Sequence, residues 1–181
     1  MKQKDNFYIL TGGPGVGKTT LVEELKMRGY NCVPEVARKI IKDQVNVNGN
    51  ALPWGDAKKY SGLMLSYSVS DFERLIDIDD ILFFDRGIPD TYGYEQLMKF
   101  DYNANLQKAV TEFRYNKTVF VLPPWKEIYE TDSERKQNFS VAVETYQIMC
   151  DAYLDLGYDL IEVPCMSVKK RADFVLERVL Q

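Results

Sequence analysis

The stretch Gly12-Gly13-Pro14-Gly15-Val16-Gly17-Lys18-Thr19 decides how the rest of the chain is read. It fills every required position of the pattern G-x-x-x-x-G-K-[ST], whose glycines let consecutive backbone N–H groups turn inward around phosphate. The apolar run Phe7-Tyr8-Ile9-Leu10 precedes it, and a helical segment from Thr20 to Arg28, stopped by Gly29, follows. Strand, glycine loop and helix in that order predict a site for a nucleoside triphosphate such as ATP, with the positive end of the helix aimed at the phosphates. In this reading the backbone from Gly12 to Thr20 wraps the phosphates. Lys18 spans the β- and γ-phosphates, and the Thr19 hydroxyl holds Mg2+. A dinucleotide fingerprint, G-x-G-x-x-G, is excluded, because Pro14 interrupts it and the glycine spacing differs.

Working outward, short apolar runs recur between helical segments. Tyr30 to Val33 reads as a second strand and Val36 to Gln44 as a helix, followed by a polar loop from Asn46 to Pro53. Asp56 caps a long helix from Ala57 to about Leu75, and Ile81-Leu82-Phe83-Phe84 is a buried strand. Pro89 and Asp90 open the next helix, and Asn103 to Arg114 reads as another. Thr118 to Leu122 and Tyr158 to Val163 complete five strands, with a helix from Phe139 to Leu156 between them and a last helix capped by Ser167. Strands alternating with helices predict an α/β fold, a parallel sheet covered on both faces. Ligands in such sheets bind beyond the carboxyl ends of the strands. One rim therefore collects the glycine loop, Glu35, Asp85-Arg86, Trp125 and the loop from Pro164 to Ser167.

At 181 residues and 45% hydrophobic, residues 1–181 are expected to form one domain. A net charge of −4 argues against duplex nucleic acid as the main partner. The apolar run near the start is too short for a signal peptide, and no segment approaches membrane-spanning length. Cys32, Cys150 and Cys165 have no metal-like spacing, and their odd number offers no disulfide framework, which suits reduced thiols in the cytoplasm. Nothing in the composition excludes a homodimer. With no histidine in the chain, a general base must be a carboxylate, a lysine, a tyrosine or water.

Asp85 ends an apolar strand, where a carboxylate can hold a Mg2+-bound water or take a proton from an attacking hydroxyl; capping a helix is its plainer role. Arg86 beside it can neutralise a transferring phosphate or form an ordinary surface ion pair. Glu35 can bind or deprotonate an acceptor hydroxyl, or simply favour the dipole of the helix it opens. Arg38 and Trp54 are candidates for the acceptor side, and Trp125 for stacking on a ring. Residues 130–138 are charged: they form either a solvated charge run or a lid, in which Arg135 is the guanidinium brought to the phosphates.

Taken in order, TGGPGVGKTTL, PEVAR, PWGD, FFDRGIPD, PPWKEIY, DSERKQ and LGYDLIEVP resemble the P-loop small-molecule kinases and the bacterial proteins labelled predicted AAA-family ATPases. The nicotinamide riboside kinase domain and the deoxynucleoside and thymidylate kinases are similar in chemistry. The resemblance implies a three-layer fold with sheet order 2-3-1-4-5. It also implies Asp85-Arg86 at the end of the third strand, Glu35 facing the acceptor, and an arginine-bearing lid around Arg135. The chain departs from it in carrying one arginine amid acids in that lid. It also has no room for the helical lid domain of ring-forming AAA machines. Two functions are expected on this basis: transfer of the γ-phosphate of ATP to a small nucleoside- or nucleotide-like acceptor, or slow nucleotide hydrolysis by a switch acting on a protein partner.

Overall fold

In the computed structural model, which describes residues 1–128 and 139–180, the chain begins with a two-residue strand, β1 (Lys2–Gln3), and the central strand, β2 (Phe7–Gly12). Helix α1 (Lys18–Met27) follows the glycine loop, then β3 (Asn31–Val33), α2 (Val36–Asn46) and α3 (Ala57–Arg74). After β4 (Leu82–Asp85) come α4 (Ile88–Leu97), α5 (Ala104–Glu112), β5 (Phe113–Arg114) and β6 (Thr118–Leu122). A 3-10 turn, Lys126–Ile128, precedes the undescribed residues; α6 (Phe139–Asp155), β7 (Asp159–Glu162) and α7 (Val168–Val179) close the described chain.

The main sheet is five-stranded and parallel, in the order β3-β4-β2-β6-β7, which is the expected 2-3-1-4-5. β2 is central, with Leu10 opposite Asp85 on one side and Phe120 on the other. Alternate side chains feed two cores. Phe7, Ile9 and Phe84 point to one face with Phe72, Ile88, Val110 and Tyr153; Leu10, Phe83 and Phe120 point to the other with Leu21, Leu25, Ala172 and Val175. Burial on both faces is why these strands are continuous apolar runs rather than alternating ones. Phe72 anchors the first core, meeting Phe7, Phe113 and Tyr115 edge-on at ring distances of 5.1, 5.4 and 5.0 Å. A smaller cluster of Ile40, Tyr60 and Met64, with Tyr94 against it, holds α2 and α3 over the carboxyl rim.

One segment differs from expectation. The helix predicted over Asn103 to Arg114 stops at Glu112, and Phe113–Arg114 runs extended, paired in parallel with Lys2–Gln3. Tertiary packing overrides helical periodicity here. Phe113 turns into the first core, and the Arg114 guanidinium lies 4.1 Å over the Tyr158 ring while donating to the Leu156 carbonyl at 2.9 Å. The caps are mixed. Asp56 accepts from the Lys59 amide at 3.0 Å, whereas Ser167 stands at the start of α7 without a side-chain cap bond. No helix among the described residues is long and apolar enough to cross a membrane.

Candidate active site

The glycine loop leaves β2 through Gly12, whose φ of 145° belongs to glycine; a Cβ there would meet the Leu122 carbonyl at 2.6 Å. Gly15 and Gly17 also take positive φ, 75° and 78°, and Val16 plugs into the second core to fix the loop between them. Gly12 is thus the close-packed turn at the foot of the loop, and Gly13 through Thr20 line the cleft.

Lys18 is buried and ion-paired with Asp85, and its ammonium stands 3.9 Å from Glu35. Glu35 in turn accepts from Arg86 Nε at 2.8 Å and from Arg38 Nε at 3.1 Å, while Arg38 also donates to the Thr19 hydroxyl at 3.1 Å. Loop, β3 end and β4 end are therefore joined by one network of ions. Burial alone would raise the Glu35 carboxyl, but Arg86 and Lys18 outweigh it and hold the group down at about 2. Burial, with Arg86 nearby, pushes the Lys18 ammonium down, against the opposing pull of Glu35 and Asp85.

Arg86 sits at φ 72°, a left-handed conformation rare for a residue with a Cβ. Its surroundings enforce this. Its amide donates to the Leu10 carbonyl at 3.0 Å, and its guanidinium is gripped between Glu35 and, at 3.0 Å, Asp90. Burial opposes the Arg86 charge, yet Glu35 and Asp90 push its pKa further up. Asp90 is 2% exposed and fully engaged, accepting also from Thr11 Oγ1 at 2.6 Å, the Gly87 amide at 2.8 Å and the Tyr153 hydroxyl. It therefore ties α4, the end of β2 and α6 to Arg86, the more buried of the two arginines that hold Glu35.

Glu35, Arg38, Tyr60 and Arg86 line the same cleft as the glycine loop, a space of about 700 Å³. Trp125, Ser167 and Arg171 line its other end. Asp85 opens instead to an adjoining cleft of about 780 Å³ between α1, α2 and α3, and Thr19, Glu35 and Arg38 border both. Of the residues expected from sequence, Trp54 is not brought in: it is 70% exposed and borders neither cleft. Arg135, and the lid expected over residues 130–138, lie outside the described residues. Tyr60, Tyr153 and Arg171 join the site from outside any motif, while Thr11 and Asp90 belong to TGGPGVGKTTL and FFDRGIPD. For Asp90 the sequence signal is its place in a Pro-started helix beside Asp85-Arg86, which by itself predicts only a helix start.

A protein-family model described as an AAA domain, AAA_28, matches residues 7–171. The chain belongs to this family. No curated protein matches its sequence. Among solved structures, this AAA domain is similar to a NadR protein in complex with NR, at TM-score 0.72 and 15% identity, over 96% of this chain and 49% of that one. It thus spans about half the length of NadR. It is also similar to a deoxyadenosine kinase from M. mycoides, at TM-score 0.62 and 13% identity, covering 96% of this chain and 98% of that one. A shikimate kinase from Acinetobacter baumannii gives TM-score 0.60 and 14% identity, over 99% and 93% of the two chains. At these identities the likeness establishes the fold, that of P-loop small-molecule kinases.

Proposed function

We propose that this AAA domain transfers the γ-phosphoryl group of ATP to a hydroxyl of a small, nucleoside- or nucleotide-like acceptor. The observation that carries this reading is the single cleft in which the glycine loop and the Glu35–Arg38–Tyr60–Arg86 group face each other. A donor site and an acceptor site in one cleft are what phosphotransfer requires, because the reacting atoms must be held in line. NadR, deoxyadenosine kinase and shikimate kinase share the fold and support the same reading.

Near the loop, Lys18, Arg38 and Arg86 are paired with Glu35, Asp85 and Asp90, and Arg171 adds one further positive charge. A triphosphate adds negative charge that this set does not offset, so the nucleotide must bring a cation of its own. The residues present fit magnesium, since Thr19 and Asp85 offer hard oxygen donors at the loop's edge. Thr19 and Asp85 would hold it, and when bound it neutralises charge on the β- and γ-oxygens.

Lys18 leaves Asp85 and takes the β- and γ-oxygens; Asp85 is thereby freed. Glu35 accepts a hydrogen bond from the acceptor hydroxyl and aims its oxygen at the γ-phosphorus. The new P–O bond forms as the bond from γ-phosphorus to the β–γ bridging oxygen breaks, and ADP departs. With its carboxyl held at about 2, Glu35 is a weak base, so it orients the hydroxyl, whose proton passes late in a loose transition state to an oxygen of the transferred phosphoryl group. The test is a screen of hydroxyl-bearing metabolites for ADP formation above the rate with ATP alone. A stimulating acceptor, with the stimulation lost in Glu35→Gln, supports transfer. ATP turnover that no acceptor changes would favour the slow-hydrolysis alternative.

A further inference from the structure

Arg171 belongs to α7, far in sequence from the glycine loop, yet it packs directly beneath it. Its side chain is 5% exposed. Nη1 donates to the carbonyls of Val16 and Gly17, both at 3.3 Å; Nη2 reaches Thr20 Oγ1 at 3.5 Å, and Nε has no partner. The guanidinium lies 5.7 Å from the Trp125 ring centre. Glycine at 17 permits this approach, since a Cβ would meet Nη1 at 2.9 Å and Nη2 at 3.1 Å.

The other inward-facing cations of the site are matched: Lys18 has Asp85, and Arg86 has Glu35 and Asp90. Among the described residues no carboxylate pairs with Arg171. A buried cation without a counter-charge is costly unless an anion completes it. The stereochemistry of the contact says where that anion belongs. In a planar trans peptide the carbonyl and the next N–H point in opposite directions. The Gly17 carbonyl is already held by the Leu21 amide at 3.2 Å and the Thr20 hydroxyl at 2.8 Å, but holding the Val16 carbonyl toward Arg171 turns the Gly17 amide away from it, to the inner side of the loop.

We propose that Arg171 is a positioning residue of the phosphate loop, which sets the Gly17 amide and supplies a positive charge, unmatched among the described residues, that a polyphosphate chain completes. This rests on the loop binding a nucleoside triphosphate, and it makes the β- and γ-phosphates, rather than the base, the part of the nucleotide that Arg171 serves. A single phosphate that does not reach the loop gains nothing from it.

The test is calorimetric binding of tripolyphosphate, ATP and AMP to the native chain, Arg171→Met and Arg171→Lys, with thermal unfolding of each without ligand. Arg171→Met is expected to bind tripolyphosphate and ATP roughly ten-fold more weakly, with AMP changed by less than about two-fold. Its ligand-free melting temperature stays level or rises, because an unmatched buried charge has been removed. Arg171→Lys keeps the charge but loses the forked donors, and recovers part of the tripolyphosphate affinity. The role is overturned if Arg171→Met binds tripolyphosphate as the native chain does, or if ATP and AMP weaken by the same factor. It is also overturned if the variant melts lower while Arg171→Lys restores stability but no affinity. If the native chain binds neither tripolyphosphate nor ATP, the phosphotransfer reading falls with it.

Discussion

Replacing Glu35 by glutamine removes the carboxylate that Arg86, Arg38 and Lys18 share, and leaves a neutral amide of the same shape. The side chain is 13% exposed, so solvent screens the lost attraction only partly. The native carboxyl lies at about 2 against an ordinary 4.5, a gap worth about 3 kcal/mol of stability at neutral pH. The folded-state value is depressed. That stability is therefore present in full above pH 4.5 and is lost as the pH falls through about 2. At pH 3 about 1 kcal/mol of it remains. Urea unfolding of the native chain and Glu35→Gln at pH 7 and pH 3 measures the difference directly, provided the two share one denaturant slope. The expected gap is about 3 kcal/mol at pH 7, shrinking to about 1 kcal/mol at pH 3. A gap below about 1 kcal/mol at pH 7, the range of an exposed ion pair, would refute the buried network around Glu35. So would a gap that pH does not change.

Lys18→Ala should weaken ATP binding by roughly a hundred-fold while the protein stays folded, read by calorimetry alongside circular dichroism. Asp85→Asn and Thr19→Ala should instead shift the Mg2+ concentration needed for half-maximal turnover, measured as ADP release against a magnesium titration. Asp90→Asn should cost about 3 kcal/mol in urea unfolding, because Arg86 loses a buried counter-charge, whereas Tyr153→Phe should cost about 1 kcal/mol for one hydrogen bond.

The glycine loop was legible because its chemistry is contiguous: one turn of chain supplies glycines, lysine and threonine. The strands were legible for a related reason, since burial on both faces leaves runs such as Leu82-Phe83-Phe84 that polar residues do not interrupt. Asp85 and Glu35 followed from topology, because residues that end parallel strands share a rim. What could not be read depends on which distant helices come together. Tyr153 is a buried residue of α6 whose hydroxyl reaches Asp90 only because α6 packs on α4. Arg171 sits among the polar residues of α7 and becomes buried because α7 packs on α1, beneath the loop. Phe113–Arg114 completes a helical pattern in sequence, and the first core with Tyr158 pulls it out into a strand. Trp54 failed in the other direction, since its neighbours Pro53, Gly55 and Asp56 place it on an exposed turn.

The fate of the γ-phosphoryl group is the most direct measurement. ATP carrying 18O on its γ-phosphate is incubated with the protein, Mg2+ and a mixture of hydroxyl-bearing metabolites, and the products are resolved by mass spectrometry. Phosphotransfer within the shared cleft predicts an organic phosphomonoester bearing the label, formed in step with ADP and absent with Lys18→Ala. Label recovered solely as inorganic phosphate, at a rate indifferent to the metabolites, would contradict it.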